Sequence, residues 1–164
     1  MNPALSERAS SRVRPDSTWA AMIQMAAHEV FQLMVNSDVQ ICENPPEAQS
    51  GKVSAMVGMA GTLGAIFRFR CAEESALSIA KKMLGVQKMD NVSEAFDAMG
   101  EICNMLAGNF KAKISVLADG CLLSVPTVVV GEDYEVRSVP SGEHIEVCLQ
   151  YEGKPMWLTL EISG

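Results

Sequence analysis

The chain has 164 residues, of which 48% are apolar and 20% are charged, and its formal net charge at pH 7 is −7. This length and composition fit a single globular domain with a sizeable hydrophobic core. The negative charge argues against a nucleic-acid partner, because binding to phosphates needs clustered Lys and Arg side chains. No apolar run reaches the roughly 18 residues typical of a membrane-spanning helix, so we expect no membrane insertion.

The N-terminal residues 1–16 contain several Ser and Arg residues but no apolar segment of the kind found in secretory signals. We therefore expect a flexible tail over residues 1–16 and one folded domain over residues 17–164. The five cysteines form no C-x-x-C pair, and most of them lie within apolar patterns. This usage is typical of reduced thiols in the core of a cytoplasmic protein.

The first half of the domain is predicted to contain one helix followed by three strands. The helix should begin near Asp16 or Ser17, both good N-cap residues, and run to about Asn36. An apolar spacing typical of a buried helix face supports this helix, and its members are Ile23, Ala27, Val30 and Met34. Strands are predicted over residues 39–42, 52–59 and 63–70, the last two forming a hairpin.

A second helix is predicted over residues 73–84, with acids in its first turn, lysines in its last turn and Gly85 as its stop. A third helix should open at Asn91, which with Glu94 resembles a capping box, and should continue to about Lys111. Further strands are predicted over residues 114–117, 122–130, 145–151 and 156–162, with a turn at Gly153 and Lys154 between the last two. This order predicts an α/β fold of the α+β type, with a mixed or antiparallel sheet and long helices packed on one face.

The third helix carries two stripes of different character. Its apolar positions follow a 3-4-3-4 spacing that predicts a buried face, and they are Phe96, Met99, Cys103, Leu106 and Phe110. A polar stripe lies about 150° away and consists of Asp97, Glu101, Asn104 and Gly108. The acid Glu101 and the amide Asn104 are three residues apart on this outward face. Pro126 follows 22 positions after the asparagine.

The outward-facing acid and amide have no catalytic partner close to them in the sequence. His28 and His144 are isolated, and no metal-ligand spacing, phosphate-binding glycine loop or nucleophile elbow occurs. Cys103 belongs to the buried stripe, which argues against a nucleophilic role. The pattern therefore favours a surface that completes another protein's active site over a self-contained hydrolase. Three apolar residues flank the polar stripe, and two of them are expected to be exposed, either as scattered apolar surface or as a contact patch for that protein: Ala98, Ile102 and Met105.

The spacing of Asp97, Glu101, Asn104 and Pro126 resembles the signature of the CheC/CheX/FliY family of chemotaxis phosphatases. The resemblance implies a phosphatase that acts on the aspartyl phosphate of a CheY-type response regulator. It implies that Glu101 pairs with the partner's active-site lysine, and Asn104 is the candidate for positioning the attacking water. The phosphorylated aspartate and Mg²⁺ belong to the regulator, so no cofactor is expected in this chain.

The element order suggests two related, pseudo-symmetric halves. A shift of 72 positions places Glu29 on Glu101 and Gln32 on Asn104, but Ser54 stands at the equivalent of Pro126. This organisation resembles the family's internal duplication with the first copy degenerate, which is closer to CheX than to CheC. Glu29 and Gln32 are then either a weak second site or a solvated helix face.

Supporting or partner-binding roles are expected around the central pair, for Asp97, Met105, Gly108, Asn109 and Pro126. Pro126 should fix an edge or bend of a strand because it cannot donate to a sheet, and Gly108 should permit a close approach near the end of the helix. CheX-like proteins are homodimers joined through their sheets, so we expect a homodimer, with residues 156–162 as a candidate edge. Two alternatives stay open: a module that binds a regulator or motor component without catalysis, and a dimeric sensor of a small ligand.

Overall fold

The computed structural model describes residues 13–131 and 142–163. Within these residues the helices are α1 (Trp19–Val30), α2 (Glu73–Leu84), α3 (Val92–Ala112) and α4 (Ser115–Ala118), and α1 continues into a π-helical turn over Phe31–Val35. The strands are β1 (Gln40–Ile41), β2 (Val53–Gly61), β3 (Ala65–Cys71), β4 (Cys121–Leu123), β5 (Thr127–Val130), β6 (His144–Tyr151) and β7 (Lys154–Ile162). None of the described helices has both the length and the apolar character that crossing a membrane would need.

The strands form one antiparallel sheet in the order β1-β6-β7-β3-β2-β4, and β5 also pairs with β2. The predicted α+β fold with an antiparallel sheet is thus confirmed. Strand β7 pairs with β3 on one side and with β6 on the other, so it lies inside the sheet. The expectation that residues 156–162 offer an edge for a second copy is therefore wrong, because the backbone groups of β7 already have partners.

The strand order supports the two pseudo-symmetric halves. Each half is a long helix followed by three strand positions, α1 with β1, β2 and β3, and α3 with β4/β5, β6 and β7. The counterparts in the two halves are β1 and β4/β5, β2 and β6, and β3 and β7. When each strand is replaced by its counterpart, the strand order of the sheet becomes the same order read from the other edge. The two long helices accordingly occupy equivalent places, α1 over β6 and α3 over β2.

The helices share one face of the sheet, where alternate residues of the central strands are buried in one continuous core. Phe67 and Phe69 of β3 are fully buried there. The ring of Phe31 packs edge-on against Phe69 and lies 5.6 Å, between centroids, from the ring of Tyr151. Because Phe110 of α3 also packs against Phe67 at 6.1 Å, this core fixes α3 rigidly to the sheet.

The opposite face of the sheet is more polar. Arg68 is only 6% exposed there, and its guanidinium pairs with Glu161 on the neighbouring strand at 2.9 Å. The segment between β1 and β2 contributes to this face, since Gln49 donates to the Thr159 hydroxyl at 3.1 Å and Arg70 donates to the Gly51 carbonyl at 3.0 Å. This face is therefore held together by a buried ion pair and by these hydrogen bonds, whereas the helix-covered face has apolar packing.

Strong local signals give the correct helix bounds. The helix predicted over residues 73–84 is α2, and Gly85 ends it in the left-handed conformation at φ 67°. Asn91 caps α3 as predicted, but its side chain accepts from the backbone N–H of Ser93 at 3.0 Å. Of the flexible tail predicted over residues 1–16, residues 1–12 lie outside the described residues. Within its remainder, Val13 packs against the core and Asp16 accepts from the backbone N–H of Thr18.

Two predictions of backbone conformation are wrong. Residues 114–117 are not a strand, because the chain continues from α3 into α4, where the N–H of Ala118 donates to the carbonyl of Ile114 at 3.0 Å. The turn between β6 and β7 consists of Glu152 and Gly153, at φ 49° and 77°, instead of Gly153 and Lys154. Two consecutive residues at positive φ match the twist of a two-residue hairpin.

The π-helical turn changes which side chains of the first helix are buried. Phe31 and Val35 are 1% exposed, whereas Met34, predicted to belong to the core face, is only half-buried. A π turn inserts an extra residue into the helical repeat, so the buried face moves by one position beyond Val30.

Candidate active site

Helix α3 presents the motif from a firmly packed position. The predicted buried stripe is largely confirmed, because Met99, Cys103, Leu106 and Phe110 have no exposed surface. Phe96 is the exception and is half-buried, near the start of the helix. The helix packs against β2 and β5 of the sheet and against both α1 and α2. The side chains on its remaining face are therefore held at fixed positions.

The polar stripe lies on this remaining face. Asp97 and Glu101 are exposed, and Asn104 and Gly108 are half-buried. Because Glu101 and Asn104 are three residues apart on an α-helix, they are neighbours on its surface.

The exposed surface around the polar stripe is narrower than the sequence predicted. Ala98 and Ile102 are 5% and 0% exposed, so the expectation that two of the three flanking apolar residues are exposed is wrong. Ala98 packs with Ala80 of α2 and Ala95 of its own helix. Met105 is half-buried and packs against the main core, which leaves it as the flanking residue with accessible surface.

Pro126 lies against the motif helix at Gly100. A Cβ atom placed on Gly100 would lie 3.3 Å from Cβ and Cγ of Pro126 and 3.3 Å from Cγ2 of Val128. Gly100 and Asn104 are four residues apart and therefore adjacent on the helix surface, so Pro126 meets the helix one turn before the amide. The glycine lets the strand connection approach the helix this closely, and this role was missed from the sequence. The feature of the sequence that could have indicated this role is the glycine in a helix interior, because glycine there costs about 1 kcal/mol relative to alanine.

A bulge in the strand opposite β2 places Pro126 there. Met56 pairs with Thr127 and Met59 pairs with Leu123, so two residues of β2 face three residues, 124–126. The single strand predicted over residues 122–130 is therefore wrong, because the extra residue and the proline divide it into β4 and β5. Pro126 does mark a bend at the side of the sheet, as expected.

Ser124 holds this bulge and was also missed. Its hydroxyl accepts from the backbone N–H of Gly58 at 2.8 Å and donates to the carbonyl of Val125 at 2.9 Å. Its own N–H donates to the carbonyl of Gly58 at 2.8 Å. The serine thus replaces the ladder hydrogen bonds that the bulge interrupts. No pattern around Ser124 in the sequence signals this role, because it depends on the neighbouring strand.

Asn109 connects the two long helices. Its side-chain N–H donates to Glu29 at 3.0 Å, and Lys113 donates to the same carboxylate at 2.7 Å. These hydrogen bonds, that of Lys113 first, hold the pKa of Glu29 below its ordinary value. Gln32, the other member of the first-half pair, donates to the carboxylate of Asp38. The first-half acid therefore belongs to a brace between α1 and α3.

Gly108 has more room than Gly100. A Cβ atom there would lie 3.8 Å from Cδ1 of Leu123, which is ordinary van der Waals contact. The role expected for Gly108 stays a prediction, and among the described residues the close approach to this helix occurs two turns earlier, at Gly100.

The chemistry available to these residues is limited. Burial raises the pKa of the Cys103 thiol to about 12, and its Sγ donates to the carbonyl of Ala55 at 3.3 Å, so it is no nucleophile. Among the described residues, no three His, Cys, Asp or Glu side chains come together in a way that could hold a metal ion. What the face offers is two carboxylates, Asp97 and Glu101, that can accept from a cation and one amide, Asn104, that can donate and accept.

The equivalent region of the first half is open. A cleft of about 440 Å³ separates α1 from β1, and its walls are Gln24, Met25, His28, Glu29, Val39, Ile41 and Leu149. Strand β1 lies at the opposite side of the sheet from β4 and β5. The cleft is therefore separate from the motif face of α3.

The family model described as Chemotaxis phosphatase CheX matches residues 53–149, more than half of the chain and the whole of the motif. The chain belongs to the CheX family. Over 84 residues it is 30% identical to the CheY-P phosphatase CheX of Thermotoga maritima, an alignment that covers 51% of this chain and 54% of that protein. The chain thus spans about half the length of this curated CheX relative.

Solved CheX structures have the same fold. The chemotaxis protein CheX of Vibrio vulnificus superposes with a TM-score of 0.77 at 22% identity, covering 92% of this chain and 100% of that chain. A structure of a CheX–CheY–BeF₃–Mg²⁺ complex from Borrelia burgdorferi gives a TM-score of 0.73 at 22% identity, with coverage of 92% and 100%. At these identities the likeness establishes the fold.

Proposed function

We propose that this chain accelerates the hydrolysis of the aspartyl phosphate on a CheY-type response regulator. The observation that carries the proposal is the outward position of Glu101 and Asn104 on a firmly packed helix, with Pro126 against the same helix at Gly100, one turn before the amide. Membership of the CheX family and the similarity to a protein named as a CheY-P phosphatase support the same reaction.

In this proposal Asn104 orients the attacking water. Phosphoryl transfer passes through a loose transition state, so placing water in line with the leaving group matters more than a strong base. An amide suits this task because it can accept from the water and donate to a phosphoryl oxygen at once. Ordering one water in this way is worth about 10²-fold in rate, or about 2.7 kcal/mol.

Glu101 supplies the register between the two proteins. It accepts from the ammonium group of the regulator's active-site lysine, which fixes the position of Asn104 over the acyl phosphate. Mg²⁺ is bound by the regulator, and this chain brings no cofactor of its own. Asp97, one turn before Glu101, adds negative charge to the face that meets the lysine, while Met105 contributes an apolar contact.

The homodimer is part of the same proposal. Since β7 is internal, the described strands that could meet a second copy edge to edge are β1 and the β4/β5 side. Sedimentation of the full chain at several concentrations tests the dimer directly. A monomer at every concentration would remove the dimer from the proposal.

The decisive experiment measures phosphate release from a panel of phosphorylated response regulators, with and without this chain. Asn104→Ala should abolish the acceleration while the affinity for a beryllofluoride-loaded regulator changes less than about threefold. Glu101→Ala should weaken that affinity as well as the rate. The matched controls are Asn44→Ala and Glu47→Ala, which change an exposed amide and an exposed acid in the segment between β1 and β2. Both controls should keep full activity.

The same measurements separate the alternative of a non-catalytic binding module. Tight binding of the phosphorylated regulator without faster dephosphorylation favours the module. Full acceleration by the Asn104→Ala variant would refute the role given to the amide, and full acceleration by a variant carrying both Glu101→Ala and Asn104→Ala would refute the site.

A further inference from the structure

Two of the cysteines lie directly opposite each other across a pair of strands. The register of β1 and β6 pairs Gln40 with Gln150 and Ile41 with Leu149, and the next pair along is Cys42 and Cys148. The pairing continues to this position, because the backbone N–H of Cys42 donates to the carbonyl of Cys148 at 3.1 Å. Opposite residues of an antiparallel pair point to the same face of the sheet.

The two thiols also lie on the same face of the sheet. They occupy the helix-free face, because Leu149, between Cys148 and Gln150 on β6, points into the helix-side core. The side-chain N–H of Gln150, which shares this face with Cys148, points at Cys42 Sγ from 3.9 Å. Burial, and then the adjacent Cys42 thiol, raises the pKa of Cys148.

The backbone spacing at this pair is compatible with a covalent link. Opposite residues in a hydrogen-bonded antiparallel pair have Cα atoms about 5.5 Å apart. Disulfides join residues whose Cα atoms are roughly 4.4–6.8 Å apart. Closing the bond therefore needs side-chain rotation and only small backbone shifts.

The other three cysteines have different surroundings. Cys71, Cys103 and Cys121 have no exposed surface. The thiols of Cys103 and Cys121 donate to the backbone carbonyls of Ala55 and Leu63, at 3.3 and 3.4 Å. Cys148, by contrast, is partly exposed, so a small oxidant can reach the pair.

We propose that Cys42 and Cys148 are a redox modification site, a dithiol that a peroxide converts into a reversible cross-strand disulfide. The thiolate form of one of the two cysteines attacks the peroxide and becomes a sulfenic acid, and the displaced hydroxide takes up the proton of that thiol and leaves as water; the raised pKa of Cys148 makes this step slow at neutral pH. The second thiol then displaces the hydroxyl group as a second water while the S–S bond forms. The two sulfurs lose two electrons and two protons in total, and the peroxide accepts both. This inference does not depend on the proposed phosphatase activity.

The bond would fasten the short strand β1 to the sheet. It would close a loop containing the 105 residues between the two cysteines. Closing a loop of this size restricts the unfolded chain strongly, and the expected rise in Tm is roughly 5–15 °C after allowance for strain. The motif face of α3 lies towards the opposite edge of the sheet from β1, so the oxidised protein should keep its activity.

The test exposes the folded full chain to hydrogen peroxide, blocks the remaining thiols under denaturing conditions and maps all five cysteines by mass spectrometry. We expect the number of free thiols to fall from five to three, with one linked peptide pair containing Cys42 and Cys148. A thiol reductant should restore all five. The peptides that contain Cys71, Cys103 and Cys121 serve as internal controls in the same wild-type sample, since these three thiols should stay reduced.

Single variants complete the test. Cys42→Ser and Cys148→Ser should each keep four free thiols under the same exposure and show no rise in Tm. Five unreacted thiols in the wild-type chain would overturn the proposal. So would a bond that involves any other cysteine, a covalent link between two chains, or separate oxidation of the two thiols to sulfinic acids. Because the peptide map uses the wild-type chain, the result stands even if a serine variant fails to fold.

Discussion

The two glycines of α3 offer a matched test of how closely the strand connection approaches the motif helix. Replacing glycine by alanine in a helix interior usually stabilises a protein by about 1 kcal/mol, because alanine has the higher helix propensity. At Gly108 the added methyl group would meet Leu123 at 3.8 Å, so we expect this gain to be realised. At Gly100 the same methyl group would meet Pro126 and Val128 at 3.3 Å, and the gain is opposed by crowding.

The size of the difference follows from these contacts. Overpacking of a well-packed site costs roughly 1–3 kcal/mol, so Gly100→Ala should be less stable than Gly108→Ala by about that amount. For a chain of this size, each kcal/mol moves Tm by roughly 2–4 °C. The assay is thermal or urea unfolding of the two variants beside the wild type. Equal stabilisation by both substitutions would refute the close contact between Gly100 and Pro126.

Activity provides a second measurement of the same pair. If Pro126 must give way by a few tenths of an ångström, the surroundings of Asn104 change, and the proposed rate acceleration should fall with Gly100→Ala. The substitution leaves Glu101 in place, so regulator binding should change much less than turnover. A Gly100→Ala variant with full turnover but lowered Tm would mean that the glycine serves packing alone.

Three further predictions concern the supports of the fold. Ser124→Ala should lower stability by about 0.5–1.5 kcal/mol, measured by urea unfolding, because the backbone N–H of Gly58 then loses its side-chain acceptor at an exposed position; an unchanged midpoint would contradict this. Glu161→Ala should lower stability by roughly 3–5 kcal/mol, because it leaves the buried charge of Arg68 unpaired, and Arg68→Met in the same background should restore part of the loss. Because the pKa of Glu29 is lower in the folded protein, its carboxylate stabilises the fold at pH values above its ordinary pKa of 4.5. This stabilisation is lost as the pH falls through the folded-state pKa. The unfolding midpoints of wild type and Glu29→Gln should therefore converge in acid, and a constant difference across that range would contradict the brace with Lys113.

The sequence predicts those parts of the fold that depend on neighbouring residues in the chain. The bounds of α2 follow from acids in its first turn, lysines in its last and Gly85 beyond it, and the structure has the same bounds. The outward position of Glu101 follows from the spacing of the buried stripe alone. Each of these inferences needs only a helical repeat and its end signals.

The features that the sequence does not reveal depend on contacts between distant segments. Ala98 and Ile102 are buried because other helices cover that side of α3, and the helical repeat cannot show which sides are covered. The break at residues 124–126 arises from pairing with β2, although the segment 122–130 as a whole is rich in Val and Leu and suggests one continuous strand. Gly100 acquires its role only when Pro126 is brought against it.

The internal symmetry explains why one half carries the proposed site and the other does not. The shift of 72 positions that relates Glu29 to Glu101 also relates His28 to Gly100. In the second half the glycine allows Pro126 to lie against the helix one turn before the amide. In the first half His28 occupies that position, strand β1 has only two residues, and a cleft of about 440 Å³ separates helix and strand. An acid and an amide on an outward helix face are therefore present in both halves, but the strand that approaches them is present in one. If close support by the strand is what fixes the amide, giving the first half the same acid and amide as the second half with Gln32→Asn should give no additional activity. A gain in turnover from that variant, in a background carrying Asn104→Ala, would show that the pair alone is sufficient.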